Sequence, residues 1–270
     1  MSTGPMGGTN PAAVVLAAGE GRRLRPLTTL RPKALCPVGG TPLLDLALDR
    51  VERVCGTGAD VVAVNAHHHR DQVVGHVGGR AHLSVEEPVA LGTAGALGLL
   101  RPWLAGRDVL VTNADAYLAT TMDELVAGFD GERCRLLVRA LPPDEPGDFR
   151  LDGTPVRYVG ACVLPWGLAQ RLPAEPGGLY EALWRDLDAA SRLDLHVTTA
   201  HVVDCGTPAD YLAANLHASG GRSVVGEGAV VQGRIERCVV WDGAHVGPDE
   251  VLTDVVRAGD RAHPLTVAAG

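Results

Sequence analysis

Short apolar runs alternate along the chain with longer stretches in which apolar residues recur every three or four positions. "AAVVLA" (12–17), "ADVVAVN" (59–65), "AHLSVE" (81–86) and "DVLVTNAD" (108–115) are Val-rich runs closed by polar residues, the pattern of strands buried on both faces. Between them, "PLLDLALDRVERV" (42–54), "TAGALGLLRPWL" (93–104) and "TTMDELVAGF" (120–129) carry helical spacing. This alternation predicts an α/β fold, a Rossmann-like and mostly parallel sheet sandwiched by helices. Functional groups are then expected at the carboxyl ends of the strands.

Further strands are expected at 133–140, 156–164 and near 195–203, with helices at 178–191 and 207–219. After Gly220-Gly221 the period changes. Val225 and Val231 lie six residues apart, as do Val240, Val246 and Leu252, with Gly and short polar residues between. Such spacing predicts a short C-terminal tail resembling a left-handed β-helix. The two runs are three residues out of phase, which leaves a plain β-meander as the alternative. The expected organisation is a flexible tail over 1–10, a main domain over 11–220 and the β-helical tail over 221–270.

Composition narrows the classes. Aromatics are 4% of the chain, so the core must be built from Ala, Val and Leu. A net charge of −8 argues against nucleic-acid and anionic-membrane partners. No apolar run approaches the ~18 residues of a bilayer span. The six cysteines show neither metal-site spacing nor a disulfide framework, and the first ten residues lack a signal-peptide pattern. A cytoplasmic location is the expectation.

One charge feature stands against this acidic background. The first predicted strand runs into Gly19-Glu20-Gly21, and residues 22–33 then hold Arg22, Arg23, Arg25, Arg31 and Lys33, with no acid between Gly21 and Thr41. The remainder of the chain therefore carries −13. Cations concentrated at a strand end repel one another unless an anion is bound. Arginine forks suit phosphate oxygens, whereas lysine delivers a compact point charge. Lys33 is the only lysine in the chain, which otherwise uses arginine for every cation. A Walker loop is excluded because Ala34 follows the lysine, and a dinucleotide fingerprint because Leu24 stands where a third small residue belongs.

"LAAGEGRRLRPLTTLRPKAL" resembles the signature of the sugar-1-phosphate nucleotidylyltransferases, and the resemblance extends over nearly the whole chain. It implies that Leu16, Ala17, Ala18, Gly19, Glu20 and Gly21 hold the nucleotide and that Arg23 and Lys33 are the catalytic cations on the triphosphate. Asn113 and Asp115 in "VTNADAYL" and Asp204 in "HVVDCGTPADYL" resemble two further family segments. Two carboxylates at two strand ends can converge on one Mg²⁺, which takes one or two carboxylates plus substrate phosphates. The resemblance therefore implies Mg²⁺ on Asp115 and Asp204, with Asn113 at the nucleotide.

"EEPVALGTAGAL" (86–97) resembles the base-recognition segment, with Gly92 letting a base approach and Thr93 capping the helix beside the site. Glu86 could accept both N1–H and N2–H of guanine. The segment looks most like the guanylyltransferase branch, which implies GTP and a mannose- or heptose-type sugar 1-phosphate. The three adjacent histidines in "NAHHHRD" alternate faces if extended and cannot share one ion, so they read as a strand end entering a helix.

The chain departs from the family at the sugar-phosphate end. Many relatives carry a second lysine there, whereas this chain offers Arg150 and Arg157, near Gly160 and Ala161, which resemble the sugar-facing turn. The alternatives are a uridylyl- or thymidylyltransferase on a glucose-type or amino-sugar phosphate, or a catalytically silent regulatory subunit. An acyltransferase fits less well, because the hexapeptide array is short and His245 is the single candidate beside it. Homo-oligomerisation through the tail is a further expectation.

Overall fold

The computed structural model describes residues 11–269; the expected flexible tail over 1–10 lies outside them. Seven strands run across the main sheet in the order 193–197, 134–140, 154–164, 109–113, 12–16, 62–66 and 82–85, with Phe149–Leu151 hairpinned onto Thr154–Leu164. Ala12–Leu16 is parallel to both Val62–Ala66 and Val109–Asn113. Thr154–Leu164 is antiparallel to both of its long neighbours, so the sheet is mostly parallel, as its sequence pattern predicts.

Ala12–Leu16 has no alternation of apolar and polar residues because both of its faces are covered. Ala13 and Val15 enter a core shared with Leu44, Leu48 and Val51 of the helix Leu43–Cys55. Ala12 and Val14 enter a second core with Leu97, Leu100 and Leu104 of the helix Gly92–Leu104. Strand order reverses about Ala12–Leu16, whose sequence neighbour Val62–Ala66 lies on one side and Val109–Asn113 on the other. This switch point opens a crevice at the carboxyl ends, where Leu16 pairs in register with Asn113.

The expected strand near 195–203 is two elements. Leu193–Val197 closes the main sheet, whereas Val202–Asp204 leaves it to form an antiparallel ribbon with Ala116–Leu118. The ribbon aligns Asp204 with Ala116, next to Asp115. Thr207 then caps the helix Pro208–Ala218, accepting from the Asp210 backbone N–H at 3.2 Å.

The tail is a three-sided coil rather than a meander. Val224–Val225, Val239–Val240 and Val255–Gly259 stack in parallel on one side, Val230–Val231 and His245–Val246 on a second, and Arg234–Glu236 and Val251–Thr253 on the third. Val225 pairs with Val240 and Val231 with Val246, fifteen residues on, whereas Ile235 pairs with Leu252, seventeen on. Coils shorter than three six-residue sides account for the broken phase of the sequence pattern. A final antiparallel strand, Pro264–Ala268, closes the stack.

The tail does not stand apart. Val239, Trp241, Val256 and Ala258 share a core with Leu24 and Leu27 of the basic loop and with Tyr211 and Leu212 of the helix Pro208–Ala218. Trp241 Nε1 donates to the Tyr211 hydroxyl at 3.0 Å, and that hydroxyl donates in turn to the Pro37 carbonyl.

Candidate active site

The basic loop winds through three single 3₁₀ turns, Arg22–Leu24, Leu27–Thr29 and Lys33–Leu35, with Leu24, Leu27 and Thr28 buried beneath it. Gly21 makes this path possible. Its φ is +62°, and a Cβ there would stand 2.9 Å from Thr28 Cγ2 and 3.0 Å from Lys33 Cβ. The Thr28 hydroxyl donates to the Gly21 carbonyl at 3.0 Å. Folded over in this way, the loop returns Lys33 to the strand end, where the residue is only 4% exposed.

The Lys33 ammonium donates to Asp115 Oδ2 and to Asp204 Oδ1, each at 3.0 Å. Arg23 Nη2 donates to the second oxygen of Asp204 at 3.1 Å. Four residues singled out from the sequence thus meet at one point. Burial alone would pull the Lys33 pKa down, but Asp115 and Asp204 overcome it and the net shift is upward from 10.5. Burial would likewise raise Asp204, yet Lys33 and Arg23 hold it below 3.8.

Four of the five loop cations divide their work. Arg22 pairs with Glu20. Arg31 stacks over Trp241 at 4.3 Å and stands 3.8 Å from Asp242. Arg23 and Lys33 are left facing the carboxylates. The run of charge is therefore part anchor and part site.

Two cavities meet at Asn113 and Asp115. The smaller, about 180 Å³, is lined by Leu16, Ala17, Ala18 and Gly19 on one side and by Gly92 and Thr93 on the other. The larger, about 560 Å³, opens on the opposite side against Gly160, Arg157 and Asp204. Gly160 has φ +95°, with Asn113 Cβ only 3.4 Å from where its own Cβ would be, so its backbone forms the wall between strand and cavity. Asn113 and Asp115 are the shared edge.

Several expected site residues lie elsewhere. Glu20 and Gly21 do not line the smaller cavity; one is tied to Arg22 and the other is the pivot of the loop. Glu86 is fully buried, and both its oxygens are engaged, Oε1 by Asn65 Nδ2 at 2.7 Å and Oε2 by the Leu91 backbone N–H at 2.6 Å. With no exposed surface, it presents no oxygen to a base in the cavity. Asn65 Oδ1 in turn accepts from the Ala17 N–H at 2.6 Å, so Glu86 braces the glycine loop through Asn65. Thr93 does not cap its helix; its hydroxyl accepts from the Leu179 N–H at 2.8 Å. Arg150 turns away to the Gly153 carbonyl, and Ala161 is buried in the sheet opposite Thr112. Asn65, which sequence reasoning missed, lines the smaller cavity one strand away from the glycine loop; its signal was a polar residue closing a buried strand.

Among the described residues, no group of three or more His, Cys, Asp or Glu side chains is arranged to hold a metal, the three adjacent histidines included. All six cysteines are buried and unpaired. No described helix is long and apolar enough to cross a membrane.

Comparison with known proteins places this geometry. Residues 12–146 match the Nucleotidyl transferase family. The chain is 32% identical over 211 residues to the N-acetylmuramate alpha-1-phosphate uridylyltransferase of Caulobacter vibrioides, covering 67% of this chain and 86% of that one. It is 24% identical to mannose-1-phosphate guanylyltransferase 1 of Arabidopsis thaliana, covering 96% and 81% of the two chains. Among solved structures, mannose-1-phosphate geranyltransferase from Thermus thermophilus superposes with a TM-score of 0.66 at 18% identity, over 96% of this chain and 95% of that one. The glycine loop, the strand-end carboxylates and these likenesses agree: the chain belongs to the sugar-1-phosphate nucleotidylyltransferase family.

Proposed function

We propose that the smaller cavity takes a nucleoside triphosphate, the larger a sugar 1-phosphate, and that the two react across Asp115. The observation that carries this reading is the Lys33 ammonium held between Asp115 and Asp204 where the cavities meet. A sugar-phosphate oxygen attacks the α-phosphorus, a new P–O bond forms, and the bond to the β-phosphate breaks to release pyrophosphate. The nucleophile is largely ionised at neutral pH, its second pKa being ~6, so no general base is required. The requirement is to bring two polyanions into line. Arg23 and Lys33 offset charge on the α-phosphate and the leaving pyrophosphate.

The two carboxylates already share one compact cation, a donor set that with phosphate oxygens suits Mg²⁺. When bound there, Mg²⁺ would supply charge neutralisation between the α-phosphate and the sugar phosphate. Asp115 and Asp204 would hold it, and Lys33 would exchange carboxylate for phosphate oxygens. Gly160 would receive the sugar ring against backbone.

For the base, GTP with a mannose-type sugar is supported by the L-G-T-A-G segment (91–95) and by the guanylyltransferase relative. UTP is the second reading, carried by the uridylyltransferase at 32% identity. The tail fits a hexapeptide-type coil of the left-handed class, and the exposed Val225, Val230 and Val251 support self-association through it. Pyrophosphate release with each NTP against a panel of sugar 1-phosphates tests the reading, with Asp115→Ala as control. Release with GTP and mannose 1-phosphate is expected, whereas turnover with no pair would refute the catalytic assignment.

A further inference from the structure

The helix Gly92–Leu104 begins beside the smaller cavity, and no side chain caps it. Gly92, Gly95 and Gly98 fall on one face of it, three residues apart. Glycine in a helix interior is disfavoured against alanine, so Gly95 and Gly98 need a reason in packing. The segment 173–179 supplies it. A Cβ at Gly92 would stand 2.6 Å from the Gly177 carbonyl oxygen, one at Gly95 would fall on the Glu175 carbonyl, and one at Gly98 on that of Pro173. Backbone fills these places, and it cannot swing aside as a side chain would.

The contact is bonded as well as close. The Gly177 N–H donates to the Leu91 carbonyl at 2.9 Å, and the Gly177 carbonyl accepts from the Ala94 N–H at 3.0 Å. The Leu179 N–H donates to the Thr93 hydroxyl oxygen at 2.8 Å. Residues 91, 93 and 94 are thus each tied to the segment, which takes up one of the N–H groups that a helix start leaves unpaired. From the other side, Glu86 holds the Leu91 N–H.

The segment itself is a surface strap. Leu172 and Leu179 are buried in the core at its two ends, whereas 173–177 are exposed. Pro173 and Pro176 restrict its backbone. The strap lines neither the smaller nor the larger cavity. Gly92 and Thr93, which it holds, form the wall of the smaller cavity across from residues 16–19 and do not reach the larger one.

We propose that 173–179 is the positioning element of the nucleotide cavity, acting through Gly95 and Gly177 on the places of Gly92 and Thr93. The inference rests on the nucleotidyl-transfer reading above, which assigns the smaller cavity to the triphosphate. Displacing this wall weakens triphosphate binding and leaves the sugar-phosphate side alone.

Calorimetric affinity for GTP and for UTP in the presence of Mg²⁺, set beside KM for the sugar 1-phosphate, tests it. Gly95→Ala should weaken whichever triphosphate binds about tenfold, while KM for the sugar 1-phosphate stays within about twofold. Gly98→Ala meets the strap one turn further from the cavity and is the control. It should cost similar thermal stability but change triphosphate affinity less than about twofold. If Gly95→Ala does not fold, Pro176→Gly carries the test: exposed and outside both cavities, it loosens the strap without a clash and should weaken triphosphate binding about threefold. Equal losses of affinity in Gly95→Ala and Gly98→Ala would mean that both act through the fold, and would overturn the proposal. So would unchanged affinity in the folded Gly95→Ala protein or, in its place, in Pro176→Gly. Absence of triphosphate binding by the unsubstituted protein would overturn this proposal and the reading beneath it. Binding without pyrophosphate release from any pair would overturn that reading alone.

Discussion

Lys33 and Asp115, 82 residues apart in sequence, meet at 3.0 Å across the carboxyl end of the sheet, and the ammonium makes the same distance to Asp204 on its other side. A planar guanidinium is broader than an ammonium, and only 4% of Lys33 is exposed. Lys33→Arg should therefore lower kcat at least about tenfold, or ~1.4 kcal/mol of barrier, despite preserving charge. Steady-state turnover, paired with a thermal melt to establish folding, checks this. Near-normal turnover would remove the special role given to the lysine.

The same ion cluster gives stability a defined pH window. The Lys33 pKa is raised in the folded state, so its contribution is complete below 10.5 and is lost as pH rises through the higher folded value. Asp204 is depressed, so its contribution is present above 3.8 and is lost as pH falls through the lower folded value. Melting temperatures of the protein and of Lys33→Met should differ most between those limits and converge beyond both. A difference that stays constant into strong alkali would mean that the lysine stabilises by packing alone.

The sheet and most of the cluster were legible in the sequence because they rest on local signals. Unbroken Val-rich runs predict doubly covered strands, and a lysine confined to a basic loop marks a compact charge. Glu86 was misread because its partners are not local: Asn65 lies 21 residues away, and the carboxylate turns inward instead of toward the cavity. The basic loop looked like one charge patch, whereas Trp241, more than 200 residues on, withdraws Arg31 from it. Tertiary pairing decides such roles, and composition does not record it.

Glu86 offers a test of bracing against reading. Glu86→Gln puts an amide NH₂ toward either Asn65 Nδ2 or the Leu91 N–H, two donors that would then face a third. A buried donor left unsatisfied costs about 1–3 kcal/mol. The substitution should lower stability by about that amount and raise KM for every nucleoside triphosphate alike, because the Ala17 N–H loses a fixed partner in Asn65. Urea unfolding and KM across four triphosphates check it. A change in base preference without loss of stability would restore Glu86 as the residue that reads the base.

Trp241 tests whether the tail is an appendage or part of the site. It is 2% exposed, donates to Tyr211 and carries Arg31 on its ring, while Tyr211 holds Pro37 just beyond the basic loop. Truncating a buried large aromatic to alanine costs about 3–5 kcal/mol. Trp241→Ala should lose stability in that range and also slow turnover, because Arg31 returns to the loop as an unanchored charge near Lys33. Deleting residues 221–270 should have a larger effect, since it uncovers Leu24, Leu27 and Tyr211 together. Urea unfolding and pyrophosphate release on both variants provide the measurement. A deletion variant with normal stability and turnover would show that the basic loop holds its shape without the coil behind it.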